Sequence, residues 1–147
     1  MNNKTSKIAL FVTTVIIATS LLLSACGPSK NPDGSVNVEV TLTDFGIESN
    51  LDTFEVGVPY HFIITNDGQV NHELMIMQPM MEGMMDMTME EMDAMALAYV
   101  EEDELTPGTT QTLDYTFTEP AATGSLELGC HIEGHYEAGM KLPITVE

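Results

Sequence analysis

Positive charge is almost absent from this sequence. Its 147 residues include four lysines and 23 acids, for a net charge of −19. Nucleic acid is therefore excluded as a partner, because affinity for it comes from cations that neutralise phosphates. The charge serves solubility and favours proteins with a basic face, drawn in over a distance that salt shortens. Cysteine is scarce too: Cys26 and Cys130 are the whole supply, so no framework of several disulfides holds the chain together. The apolar run Ile8–Leu23 falls short of the ~20 residues that a membrane-spanning helix needs.

Lys4 and Lys7 precede that run, and Leu23-Ser24-Ala25-Cys26 follows it. A short positive region, an apolar stretch and small residues are the layout of an export signal, here residues 1–25. Leu-Ser-Ala-Cys resembles the lipobox of bacterial lipoproteins. The resemblance implies that Cys26 becomes the lipidated N-terminus, with the protein on the outer face of the cell membrane or in the periplasm. An ordinary signal peptide and a retained anchor are the alternatives. Acyl chains would hold the protein firmly, at about 0.8 kcal/mol per buried CH₂. Without the signal, Lys30 and Lys141 face all 23 acids, a net charge of −21. A lipidated Cys26 leaves Cys130 without a disulfide partner, and a lone thiol in an exported protein needs another role, such as metal binding.

Residues 26–35 contain Gly, Pro, Ser, Asn and Asp and read as a flexible tether. Residues 36–147 then form one domain, long enough to bury a core. Val36, Val38, Val40 and Leu42 alternate with polar residues, as in a half-buried strand. Phe54 and Val56 start a short run. Tyr60–Thr65 is a β-rich strand closed by Asn66-Asp67-Gly68, and Val70–Gln78 follows that turn. Leu113, Tyr115 and Phe117 alternate again. Ser125–Ile132 puts Leu126, Leu128 and Cys130 in phase. Lys141–Glu147 ends the chain, with Pro143 suited to an edge or strand end. This all-β pattern of short strands predicts a sandwich or barrel.

Residues 79–104 interrupt it. Met81, Met85, Met92 and Met95 lie near helical spacing among good helix formers, which predicts a helical insertion ending in Glu101-Glu102-Asp103-Glu104. With Met75, Met77, Met80, Met84, Met87 and Met89 they make a dense methionine group. Three readings compete: thioethers filling irregular gaps in a core, thioethers binding Cu(I), and an adaptable docking patch.

The residues richest in chemistry lie in Cys130-His131-Ile132-Glu133-Gly134-His135-Tyr136-Glu137-Ala138-Gly139-Met140. A thiolate, an imidazole and a thioether share one loop, with Gly134 and Gly139 placed to let it turn tightly. Soft sulfur suits Cu(I), and imidazole suits both copper oxidation states. A second imidazole must come from elsewhere: His72 is the candidate, and His61, inside a strand, is the competitor. His131 should point away from a metal held by Cys130, because neighbours on a strand face opposite sides. It is expected at the surface or supporting the site rather than as a ligand. Zinc is an alternative ion, although thioether is an unusual ligand for it. A binuclear copper centre would need a second cysteine ligand.

The stretch from Pro107-Gly108 through Leu113–Phe117, the Cys-x₄-His-x₄-Met loop and Ile144-Thr145-Val146 resembles the C-terminal half of a cupredoxin. That type 1 blue copper family includes plastocyanin, azurin, auracyanin and rusticyanin. Asn71-His72-Glu73 matches the place of its upstream histidine. The resemblance implies a Greek-key β-sandwich holding one copper, Cu(I) or Cu(II), with His72, Cys130 and His135 as strong ligands and Met140 as the long axial one. It implies one-electron transfer between larger redox proteins. Two positions depart from the pattern: Glu133 stands where many members have proline, and Glu73 where many have Asn or Ser tying the two ligand loops together. No nucleophile–base motif suggests an enzyme. The expectation is a monomeric, membrane-anchored blue-copper carrier; the alternative is a copper-homeostasis protein, a chaperone or store using the methionine segment.

Overall fold

The computed structural model describes residues 30–81, 84 and 87–147. The signal segment and residues 26–29 of the tether, Cys26 among them, lie outside these residues, as does Met85.

Among the described residues, nine strands form two sheets. The first has the order β2 (Gly46–Ser49), β1 (Val36–Thr43), β4 (Pro59–Asn66), β7 (Thr110–Thr116). The second has the order β3 (Thr53–Phe54), β9 (Lys141–Val146), β8 (Ala121–Gly129), β5 (Leu74–Met77), β6 (Ala98–Val100). β1 and β4 run parallel, with Val38 opposite Phe62, and β4 and β7 run antiparallel, with Phe62 opposite Leu113. The alternation along β1 is the one its sequence predicts: Val36, Val38, Val40 and Leu42 are buried.

Inward residues of both sheets meet in one core. Its centre is aromatic: the Phe54 ring lies 4.9 Å from Tyr60, 5.0 Å from Phe117 and 5.8 Å from Phe62. Leu74, Ile76, Leu128, Ile144 and Val146 close it from the second sheet. Pro143 pairs with Glu127 of β8, while β3 reaches only Thr145 and Val146 on the other side of β9. The missing N–H of Pro143 therefore costs no ladder bond.

The methionine segment is less helical than its spacing predicts. One short helix, α1 (Met89–Asp93), begins at a capping box in which Thr88 and Glu91 satisfy each other's backbone. The chain then leaves helical geometry because the edge of β5 is open: Leu97 N–H donates to Ile76 O at 2.8 Å, and Ala98–Val100 pairs antiparallel with Leu74–Ile76. Satisfying a sheet edge outweighs a weak local propensity. The segment covers the outer face of β5, where Met75 and Met77 are buried with Met84 and Met92 in a second, methionine-built cluster. Met81, Met89 and Met95 remain exposed. Among the described residues no helix is long and apolar enough to cross a membrane.

Phe54→Ala should lower the free energy of unfolding by about 3–5 kcal/mol, the usual cost of deleting a buried aromatic ring. Phe45→Ala, at a ring 79% exposed, should change it by less than about 0.5 kcal/mol. Urea unfolding followed by circular dichroism separates the two; equal effects would show that the core is not organised around Phe54.

Candidate metal centre

Three donor side chains converge where the loop after β8 meets the loop before β5. His72 Nδ1 lies 3.2 Å from His135 Nδ1, and Cys130 Sγ lies 3.4 Å from the same His135 nitrogen. One donor atom from each residue falls within 4.8 Å of the others, and they form a group able to hold a metal ion. Bonds of about 2.0–2.1 Å to imidazole and about 2.3 Å to thiolate, the values for zinc, let a single ion bridge such spans. His61 is elsewhere: its Nδ1 meets Asp114 Oδ1 at 2.6 Å across β4 and β7.

Each donor is fixed by its backbone. Cys130 continues the inward phase of Leu128, and both are fully buried. Cys130 N–H donates to Met140 O at 3.0 Å, and Met140 N–H donates to His135 O at 3.1 Å. Those bonds close the loop on itself and bury Met140 at its base. The one-turn helix α2 (His135–Ala138) sits inside the loop, bounded by Gly134 at φ 83° and Gly139 at φ 110°. Only glycine takes these left-handed angles without strain, so the two glycines turn the loop as their positions predict.

On the other side, His72 N–H donates to Leu105 O at 3.1 Å. Asn66 pins the same region. Its Nδ2 donates to Leu105 O at 2.7 Å and Val70 O at 2.9 Å, and its Oδ1 accepts from Gly68 N–H at 2.8 Å. The Asn-Asp-Gly signal marks only a turn; that Asn66 also anchors the acidic loop is a tertiary fact. Asp44 was not legible in the sequence at all. Its Oδ1 accepts from Gln69 N–H at 2.6 Å and stands 3.6 Å from His72 Nε2. A Cβ on Gly68 would come 2.4 Å from Asp44 Oδ1 and 2.6 Å from His72 Nε2.

Glu73 performs the task for which many cupredoxins use Asn or Ser. Its Oε1 accepts from His131 N–H at 2.6 Å and so ties the two ligand loops together. Burial pushes this carboxyl up to about 7, opposed by that hydrogen bond. Burial also raises the Cys130 thiol to about 11. His72 is shifted below the ordinary imidazole value by burial first and by His135 second, with Asp44 opposing. A neutral imidazole is the form that ligates a metal. His131 turns away from the donor cluster, as strand alternation predicts, but it is not at the surface. It is buried and stacks on Tyr136, ring centroids 5.0 Å apart at 23°. Glu133 is exposed.

No family model matches the chain. The fold is that of the blue copper cupredoxins, and the His-Cys-His cluster fits a single type 1 copper site. Auracyanin from Roseiflexus castenholzii superposes with a TM-score of 0.58 at 19% identity, covering 82% of this chain and 99% of that one. Rusticyanin from Thiobacillus ferrooxidans gives 0.58 at 18% identity, covering 78% of each chain. The blue copper protein auracyanin A from Chloroflexus aurantiacus gives 0.60 at 15% identity, covering 78% of this chain and all of that one. In sequence, the copper-resistant cuproprotein CopI of Pseudomonas aeruginosa is 25% identical over 82% of this chain and 81% of its own.

Gly68→Ala should weaken metal binding about 10–100-fold, the usual cost of disturbing a group that supports a ligand. The added methyl must displace His72 or Asp44. Competition against a chelator of known affinity measures it; unchanged affinity would show that the ring tolerates the displacement.

Proposed function

We propose that this protein is a one-electron carrier of the cell envelope, holding one copper ion with His72, Cys130 and His135 as strong ligands and Met140 as the axial one. The observation that carries the proposal is the convergence of two imidazole nitrogens and a buried thiol on one point, each donor held by backbone hydrogen bonds and the two loops joined through Glu73. When bound, copper supplies a centre that alternates between Cu(I) and Cu(II) at such a site. The chain's part is to keep its donors still. Cys130 and Met140 cannot separate without breaking their mutual backbone bond, and His72 is held through Leu105 and Asn66. A shell that does not move costs little rearrangement when charge changes.

His135 is half-buried and offers the way in for electrons. Near it the surface mixes apolar and acidic groups. Phe45 and Val70 are exposed on the loops that carry Asp44 and precede His72. Glu101–Glu104 are exposed immediately before Leu105, which bonds His72. That arrangement suits a monomer that docks briefly on a redox protein with a basic face. Cys26 would carry the lipid anchor.

A second reading is copper handling, as a chaperone or store. The CopI relative and the methionine segment favour it. A carrier keeps one copper and cycles; a handling protein releases it.

Cu(II) titration, followed by visible absorption and electron paramagnetic resonance, tests the proposal. One equivalent should develop an intense thiolate-to-copper band that bleaches on reduction and returns on oxidation. Cys130→Ser should abolish that band. Met140→Leu should keep it and raise the reduction potential, because a weak donor to Cu(II) is lost. Absence of the band in the native protein would sink the carrier reading.

A further inference from the structure

We propose a second metal site, specific for Cu(I), in the groove between the methionine segment and the loop that follows β8. It goes beyond the carrier function and does not depend on it. The groove holds about 780 Å³ and is lined by Met80, Met84, Met87, Met89 and Met92 on one side and His131 on the other. His131 is the observation that packing leaves unexplained. It is 5% exposed, and neither ring nitrogen has a hydrogen-bond partner among the described residues. The Glu73 carboxylate comes no nearer to Nδ1 than 3.9 Å. A buried imidazole with both nitrogens idle is unfavourable unless something else uses them.

The ring is held rather than merely accommodated. Tyr136 stacks on it, and Tyr136 is fixed in turn by Met80 N–H, which donates to its hydroxyl at 3.1 Å. A Cβ on Gly129 would come 2.6 Å from His131 Cε1, so the strand is bare where the ring lies. Opposite, Met84 and Met92 are buried, and Met81 N–H donates to Met84 Sδ at 3.3 Å, which fixes that sulfur. One imidazole and several thioethers are a soft donor set that suits Cu(I) and does not suit Mg²⁺ or Ca²⁺. Glu102, Glu133 and Glu137 line the same groove and lower the energy of a cation entering it. Plain core packing accounts for Met75 and Met77, which lie beneath on β5. It does not account for an unpartnered imidazole facing a row of thioethers.

The test is a Cu(I) titration of the intact, reduced protein in competition with a coloured Cu(I) chelator, with methionine methyl groups observed by ¹³C NMR. Two equivalents should bind, the second shifting the methyl signals of Met84 and Met92. His131→Gln should weaken that second equivalent tenfold or more and leave the first unchanged. The paired Met84→Leu and Met92→Leu variant, which conserves volume, should do the same and decides the matter if His131→Gln does not fold. Cys130→Ser should lose the first equivalent and keep the second. A second equivalent that binds where no blue band ever forms would overturn the carrier reading alone. Binding of a single equivalent, or a second one indifferent to both sets of substitutions, would overturn this site.

Discussion

Everything at the donor cluster depends on a backbone hydrogen bond, Cys130 N–H to Met140 O, that closes an eleven-residue loop onto the last strand. It puts the sulfur at the inner end of β8 and buries Met140 at the base of the loop. The second tie, His131 N–H to the Glu73 carboxylate, joins this loop to the chain that carries His72. Remove either bond and a buried polar group loses its partner, which costs about 1–3 kcal/mol. The donor side chains then no longer share one frame. The use of a carboxylate for the second tie is the chain's own solution to a position where an amide or hydroxyl is usual, and burial answers it by raising the carboxyl to about 7.

Strand alternation distributes the chemistry. On β8 and its extension, Leu128 and Cys130 face the sandwich core, while Glu127 and His131 are buried on the other side. On β5, Leu74 and Ile76 face the core, while Met75 and Met77 face the methionine cover. One sheet thus has an apolar core with a copper-type donor set on one face and a thioether-rich layer with an idle imidazole on the other. Because a strand side chain points to one face or the other, neighbouring residues Cys130 and His131 serve two separate environments. The same strands that keep them adjacent keep them apart.

The charge distribution adds direction. The acidic run Glu101–Glu104 could have been a solvated turn anywhere on the surface. Leu105, the residue after it, bonds both His72 and Asn66, which fixes the acids beside the donor cluster. A strongly acidic chain thereby presents acids next to its buried imidazole and thiol donors.

The alternation of β1 and β7, with the β-rich run of β4, determined the sandwich from sequence alone, because a period of two buries one face whatever the neighbours are. The Cys-x₄-His-x₄-Met spacing, with a glycine before His135 and before Met140, likewise determined the loop. Short-range backbone geometry is written in consecutive residues. His72 was legible over His61 for a related reason: one follows a turn at a strand end, and the other lies within a strand. Only the tertiary structure decided the rest. The open edge of β5 recruited Ala98–Val100 as a strand and cut the expected helix to Met89–Asp93, since sheet pairing overrides local propensity. Asp44 and Asn66 gained their roles near His72 through contacts across the fold, and Glu73 took over the loop tie by reaching a backbone 58 residues away. His131, legible as pointing away from Cys130, was enclosed only when the methionine segment folded over β5, because burial depends on what lies above a residue and not on the residue itself.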